Sequence, residues 1–159
     1  MPQKTVTPVN AVNSADKVKD VFTNIDGLID ETIVKLSAVQ TYKYDKDEID
    51  AVNGVFNDFV TKMNDILTPD LEIQIGKVMQ VMNNKLQKVY MDLVNQGIQN
   101  PTMDEIATAV ENGIDFTDAE KLILKVSMRQ EMLVQISGIY QSIEQSQSAI
   151  EELKSKIRK

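Results

Sequence analysis

The chain has 159 residues, 42% of them apolar and 26% charged, which is ordinary for one soluble domain with a hydrophobic core. It has no cysteine and no histidine, and this excludes disulfides, thiolate or imidazole metal sites, cysteine nucleophiles and histidine general bases. With a net charge of −7 and no large cluster of lysine and arginine, we expect no binding to nucleic acid. No apolar run approaches the length of a membrane span and no cleavable secretion signal is recognised, so we expect no membrane segment.

Apolar side chains at helical spacing predict an all-α fold. Residues 1–13 are polar and contain two prolines, so we expect a flexible N-terminal tail there and a single helical domain over residues 14–159. The low aromatic fraction of 5% suits helix-on-helix packing by leucine, isoleucine, valine and methionine. The predicted helices lie at about 14–40, 45–67, 68–96, 102–112 and 117–158.

Capping residues mark where these helices start and stop. Gly97 and Gly113 each end a helix and each precede an isoleucine. At both places we expect the glycine to adopt the left-handed conformation, and Ile98 or Ile114 to fold back on the last turn. Four helix starts carry side chains that accept hydrogen bonds from first-turn amides, in Asp45-Lys-Asp-Glu48, Thr68-Pro-Asp70, Thr102-Met-Asp-Glu105 and Thr117-Asp-Ala-Glu120.

The last predicted helix organises the chain because it carries a heptad seam, whose positions recur at alternating steps of four and three residues. A helix over residues 117–159 spans about 64 Å, against a diameter of about 40 Å for a compact domain of this size. We therefore expect an elongated helical bundle or coiled-coil hairpin. Gly138 could interrupt this helix, at a cost of about 1 kcal/mol. The seam consists of Met132, Ile136, Ile139, Ile143, Ser146, Ile150, Leu153 and Ile157.

A second apolar stripe on the same helix shares Ile136 with the seam. Either other helices of the chain bury both stripes in an antiparallel bundle, or one stripe remains available to another molecule. The second stripe consists of Leu122, Val126, Leu133, Ile136 and Tyr140. The candidate assembly or partner interface, drawn from both stripes, consists of Leu133, Ile136, Ile139, Tyr140, Ile143, Ile150, Leu153 and Ile157.

No group of residues has the spacing of a catalytic, cofactor or metal site. Asp45, Asp47 and Asp50 invite comparison with a calcium loop, but Asp50 and Phe56 stand where that loop needs a glycine and a glutamate. Carboxylates elsewhere are adjacent on a helix, so they diverge and do not converge on a substrate. We expect a protein that is not an enzyme and that binds no cofactor and no metal.

Charge is unevenly distributed along the chain. The C-terminus is basic, with Lys154, Lys156, Arg158 and Lys159, whereas no basic residue lies between Lys88 and Lys121. The acidic segment of one molecule could face the basic end of another, and such a head-to-tail contact can grow a polymer because it need not close. The acidic segment contains Asp92, Asp104, Glu105, Glu111, Asp115, Asp118 and Glu120.

The text of residues 115–157, DFTDAEKLILKVSMRQEMLVQISGIYQSIEQSQSAIEELKSKI, resembles the C-terminal helices of proteins exported by bacterial type III secretion systems. The shared pattern is a short acidic lead-in followed by a long amphipathic helix rich in glutamine, serine and isoleucine. The resemblance is to the needle and inner-rod subunits and to the tip-filament family. Needle subunits are much shorter and lack a counterpart of the helices at 45–96, so the rod or tip-filament comparison fits better.

This resemblance implies a secreted or cell-surface subunit, exported without a cleavable signal, that assembles with itself by coiled-coil packing. A secretion chaperone is a possible further partner. We therefore expect a non-enzymatic, self-assembling structural protein. Two alternatives remain open: a cytoplasmic helical adaptor or chaperone that binds a partner helix, and a phage structural protein that forms a closed ring.

Overall fold

A computed structural model describes the backbone of residues 3–158 and the side chains of residues 16–158. The chain is 86% helical, and no β-strand occurs in this part of it. The all-α prediction and the long C-terminal helix are therefore confirmed. The five helices are α1 (Gln3–Val39), α2 (Lys46–Ile66), α3 (Pro69–Asn95), α4 (Met103–Asn112) and α5 (Asp118–Arg158).

Contacts between residues divide the chain into two compact units, to each of which α1 and α5 both contribute. Unit 1 consists of Met1–Asp26 and Asp65–Ser127, and unit 2 consists of Gly27–Asn64 and Met128–Lys159. A flexible tail is expected at residues 1–13, whereas the backbone is helical from Gln3; the side chains of residues 1–15 lie outside the described residues. That tail and the single helical domain over 14–159 stay predictions.

In unit 1, α4 packs against α3, and only one side chain of α3, Met82, is fully buried. The other apolar positions on the inner face of α3 are half-buried. The unit 1 core is therefore built mainly from α1, α4 and the start of α5. Its buried apolar side chains are Val18, Val21, Phe22, Ile25, Met82, Ile106, Val110, Phe116, Ile123, Leu124 and Val126.

In unit 2, α1 and α2 form an antiparallel pair joined by residues 40–45. Ion pairs fix its register, because Lys35 Nζ lies 3.0 Å from Asp58 Oδ2 and Lys62 Nζ lies 3.0 Å from Glu31 Oε1. These four side chains are well exposed, so they specify alignment more than they stabilise the unit. The apolar core of unit 2 consists of Leu28, Ile29, Leu36, Ile49, Val52, Phe59, Met63, Leu133 and Tyr140.

The predicted helix starts at the three threonines are confirmed. Thr68 Oγ1 accepts from the Leu71 amide ahead of the proline that opens α3. Capping boxes with hydrogen bonds in both directions begin α4 at Thr102 and α5 at Thr117. Because these devices involve residues three apart, local sequence is sufficient to specify them. The interruption considered at Gly138 does not occur, because α5 is one continuous helix through this residue.

The predicted left-handed glycine stop is confirmed at Gly97. Its φ is 103°, its amide donates to the Val94 carbonyl at 3.0 Å, and the Ile98 amide donates to the Leu93 carbonyl at 3.1 Å. These two hydrogen bonds form a Schellman motif, which satisfies carbonyls that the end of α3 would otherwise leave unpaired.

The same prediction is wrong at Gly113. Gly113 has an extended backbone with φ −86° and ψ 166°, and Ile114 is 96% exposed instead of folded back. Lys121 Nζ donates to the Glu111 carbonyl at 3.1 Å, so a side chain from α5 satisfies a group at this helix end. The chain then leaves α4 in an extended conformation and buries Phe116, so Phe116 and not Ile114 packs into the core.

Gly76 lies inside α3 and Gly97 lies just after its end, and together they provide a matched test of backbone conformation. Gly97→Ala should lower the free energy of unfolding by about 1 kcal/mol, because a Cβ atom is strained at positive φ. Gly76→Ala should raise it by about 0.5–1 kcal/mol, since an added methyl group inside α3 would meet open space. Urea unfolding followed by circular dichroism measures both, and equal effects of the two substitutions would contradict the assignment.

Candidate functional site

A buried carboxylate, Glu48, lies at the start of α2 and is only 3% exposed. It accepts four hydrogen bonds from the chain around it. The donors are Thr41 Oγ1 at 2.8 Å, the Tyr42 amide at 3.1 Å, the Tyr44 amide at 2.6 Å and the Tyr140 hydroxyl at 2.7 Å. Three donors come from the connection between α1 and α2, and the fourth comes from α5. Glu48 thus joins the three helical segments of unit 2.

The connection between α1 and α2 adopts an unusual backbone conformation. Tyr42 and Tyr44 have φ values of 60° and 55°, in the left-handed region that large side chains rarely occupy. Each such residue costs on the order of 1–3 kcal/mol and persists only when its surroundings require it. Here the requirement is visible, because the strained turn aims the amides of both tyrosines at the Glu48 carboxylate.

Three further contacts hold this connection against α5. The rings of Tyr44 and Tyr140 lie 5.6 Å apart between centroids, within the range of favourable aromatic pairs. Gln147 Nε2 donates to the Tyr44 carbonyl, and Gln40 Nε2 donates to the Tyr140 hydroxyl. We call Thr41, Tyr42, Tyr44, Glu48 and Tyr140 the Glu48 cluster.

The hydrogen bonds decide the charge state of the cluster. Burial by itself would raise the pKa of Glu48, but the bonds from Tyr140, Thr41 and the two amides outweigh it and lower that pKa to about 2. Burial and the neighbouring Glu48 carboxylate together raise the pKa of Tyr140 to about 12. At neutral pH the cluster therefore pairs an ionised carboxylate with a neutral phenol donor.

Sequence analysis assigned Glu48 to a local capping box, and half of that box is present. The Glu48 amide donates to Asp45 Oδ1 at 2.9 Å, as predicted for a cap. The carboxylate itself reaches the amides of Tyr42 and Tyr44 and the distant Tyr140 hydroxyl, which the sequence did not predict. The available signal was Tyr140, because a tyrosine on a buried stripe needs a partner for its hydroxyl.

The eight residues of the predicted interface do not share one environment. Leu133 and Tyr140 are buried within the protein, and Ile136 and Ile143 are half-buried. The remaining four, Ile139, Ile150, Leu153 and Ile157, are exposed. The structure thus internalises most of the second stripe and leaves the distal part of the heptad seam uncovered. Their role as an interface stays a prediction.

The exposed part of the seam lies on a segment that we call the extension, residues 148–158 of α5. Gln147 contacts the α1–α2 connection through Tyr44, and residues 148–158 are all exposed. Ile150, Leu153 and Ile157 lie on one face of these three turns, and Ile157 is 81% exposed. The extension is therefore a helix with an uncovered apolar stripe.

A cleft of about 850 Å³ lies between the start of α2 and the base of the extension. Ile49 and Ile150 supply its apolar lining, and Asp50, Glu144 and Glu151 place three acids around it. Lys46 and Lys154 line it as well and supply two basic groups. The cleft is thus acidic overall, in contrast to the far end of the extension.

The described residues offer little for chemistry. Among residues 16–158, no group of three or more acidic side chains is placed to hold a metal ion. The Glu48 carboxylate is occupied by four donors and has a low pKa, so it is a poor proton acceptor. Within the same residues, no helix combines the length and apolar character needed to cross a membrane.

Comparison of the chain with protein-family models, with curated proteins and with solved structures finds no match.

The low pKa of Glu48 predicts how the stability of the protein changes in acid. A carboxylate whose pKa is about 2 in the folded state and near 4.5 ordinarily stabilises the fold above pH 4.5, and this stabilisation is lost as pH falls toward 2. Glu48→Gln should lower the urea midpoint at pH 7, and its deficit should shrink between pH 4.5 and 2.5. Asp47→Asn, which changes an exposed acid in the same turn, is the control. A deficit that is constant with pH would contradict the assignment.

The hydrogen bond from the Tyr140 hydroxyl to Glu48 can be tested by removing the hydroxyl. Tyr140→Phe removes the hydroxyl that bonds Glu48 and should lower the free energy of unfolding by about 1–2 kcal/mol at pH 7. Tyr42→Phe removes a hydroxyl from an exposed ring of the same cluster and should be nearly neutral. Urea titrations of both variants measure the difference, and equal losses would show that the Tyr140 hydroxyl has no special role.

Proposed function

We propose that this protein is a non-enzymatic structural subunit that assembles with copies of itself through the extension of α5. In its more specific form, the proposal is a secreted filament or rod component of a bacterial secretion apparatus. The observation that carries it is the extension, whose eleven residues are all exposed and whose apolar side chains share one face.

The extension propagates from the packed part of α5, so it needs no nucleus of its own. It lacks, however, the packing of an apolar face from which most helical stability in proteins comes. Ile150, Leu153 and Ile157 provide such a face but are 50%, 58% and 81% exposed, although Ile150 also lines the cleft with Ile49. A surface that covers this stripe would stabilise the helix and would bind it in return.

Charge around the stripe favours a contact between two different surfaces. At about 100° per residue, Lys154 and Lys156 flank the stripe on its two sides, whereas Glu151 and Glu152 lie toward the back of the helix. Two extensions packed along this stripe would bring four lysines together, which is unfavourable even though Lys154 Nζ lies 3.9 Å from Glu151 Oε1 of the same helix. An acidic apolar surface on another copy is a better match, and the segment at 89–120 supplies seven acids and no base.

The assignment to a secretion apparatus rests on the resemblance of residues 115–157 to exported helical subunits. The unbroken helix α5 is compatible with it, since these subunits assemble by packing of long terminal helices. Under this proposal the protein is secreted or displayed at the cell surface. A cytoplasmic adaptor that offers the same stripe to a partner helix, and a phage protein that closes into a ring, are the competing outcomes of the test.

Sedimentation velocity over a wide concentration range tests the proposal on purified full-length protein. The intact chain should form species that grow with concentration, and Leu153→Asp should remain a monomer, because an acid in the stripe cannot be buried without a partner. Ser155→Asp is the matched control: it adds the same charge to the extension about 170° from the centre of the stripe. This control should assemble like the intact chain.

Other outcomes separate the alternatives. A small oligomer of fixed size would favour the adaptor, and a fixed ring would favour the phage structural protein. If Leu153→Asp sediments like the intact chain at every concentration, the extension is not the assembly surface and the proposal fails. Leu153 is a cleaner target than Ile143, because Ile143 is half-buried and its substitution would also disturb unit 2.

A further inference from the structure

We infer that the surface that receives the extension, on another copy of this chain, is the corner between α4 and α5 with Ile114 at its tip. The corner comprises residues 111–118 and belongs to unit 1. This inference rests on the proposed function, because it names the second surface of the same self-assembly contact. It is argued from the rigidity, the exposed apolar tip and the charge of the corner.

The corner is held in place by lysines from neighbouring helices. Lys85 Nζ donates to the Asp115 carbonyl at 2.9 Å and to Glu120 Oε1 at 2.7 Å, and it lies 5.5 Å from the centroid of the Phe116 ring. Lys121 Nζ secures the Glu111 carbonyl. The corner is thus fixed on both sides of Ile114.

Burial by itself would raise the pKa of Glu120, but the hydrogen bonds from Lys85 and from the Thr117 amide outweigh it and lower that pKa. Glu120 therefore stays ionised at neutral pH and keeps its contact with Lys85, which sustains the fixed geometry of the corner.

Ile114 is an apolar side chain on a fixed support, yet it is 96% exposed, more than any other large apolar side chain of the described residues. A single exposed isoleucine is ordinary on a protein surface. On a rigid corner it has the properties of a binding anchor, because little conformational freedom is lost when it is covered. The protruding isoleucine complements the stripe of Leu153 and Ile157.

Charge gives the contact its direction. Glu111, Asp115 and Asp118 are exposed around Ile114, and Lys154 and Lys156 flank the stripe on the extension. The cleft at the base of the extension is lined by three acids, so an acidic corner should bind beyond it, over Leu153 and Ile157. Added salt should weaken this contact, since its charges are exposed.

The exposed face of α3 is a weaker candidate for the same role. Ile73, Val81 and Met91 are exposed there, but Lys77 and Lys88 are exposed on the same side of the helix. These lysines would face Lys154 and Lys156 of the extension, and like charges across a contact oppose binding. The corner is the surface whose charge agrees with the extension.

A mixing experiment with two full-length variants tests the inference. Ile114→Asp disrupts the corner and leaves the extension intact, whereas Leu153→Asp disrupts the extension and leaves the corner intact. Each variant alone should sediment as a monomer of 17.9 kDa. Their equimolar mixture should form a 1:1 complex of about 36 kDa, twice the mass of one chain, because one good copy of each surface remains.

Met103→Asp serves as the control, because it places the same charge on an exposed apolar residue of α4 outside the corner. It should assemble like the intact chain. Circular dichroism should show the same helix content and thermal midpoint for all three variants, since the changed side chains are exposed. As a second readout, Asp115→Lys should abolish assembly alone and should recover binding when mixed with Lys154→Glu.

The outcomes distinguish failure of this inference from failure of the proposed function. If Ile114→Asp assembles like the intact chain while Leu153→Asp does not, the corner is not the receiving surface and self-assembly through the extension stands. If neither variant assembles and their mixture stays monomeric, the pairing of corner with extension is overturned. If Leu153→Asp behaves like the intact chain, the proposed function fails and the inference fails with it.

Discussion

Unit 2 depends on one buried charge, the carboxylate of Glu48. A buried carboxylate is costly unless donors surround it, and this one is satisfied by Thr41, two backbone amides and the Tyr140 hydroxyl. The connection between α1 and α2 accepts two left-handed tyrosines because that conformation supplies the amides. Removing any one donor would leave the others arranged around an incompletely paired charge, so the cluster acts as a unit.

The same cluster determines where α5 becomes free. Tyr140 is held by Glu48 of α2, and Gln147 is held by the Tyr44 carbonyl of the α1–α2 connection. After Gln147 the described residues of α5 are all exposed, and they continue as three turns whose base lines a cleft with Ile49 of α2. A rigid attachment followed by an unsupported apolar helix is an arrangement suited to presenting that helix to another molecule, because little freedom of its base remains to be lost on binding.

The two surfaces proposed for assembly differ in every property that matters for recognition. The extension is helical, apolar on one face and flanked by lysines, whereas the corner is a rigid turn with one protruding isoleucine among acids. A contact between unlike surfaces on identical chains repeats without closing unless its rotation happens to form a ring. Filament growth and ring formation therefore follow from the same contact, and its rotation alone separates them.

Local interactions explain what the sequence by itself determined. Helix caps depend on residues within a few positions of one another, so the sequence is enough to predict them. This holds for the helix starts at Thr68, Thr102 and Thr117 and for the Schellman stop at Gly97. Periodicity likewise predicted the all-α fold and both stripes of α5. Only the tertiary structure decided which stripe of α5 is buried. It also decided that Lys121 bonds the Glu111 carbonyl at the end of α4, where a left-handed glycine was predicted, and that the Glu48 carboxylate accepts from the Tyr140 hydroxyl. Those choices depend on side chains 10 to 92 positions apart, which meet only after the helices have packed.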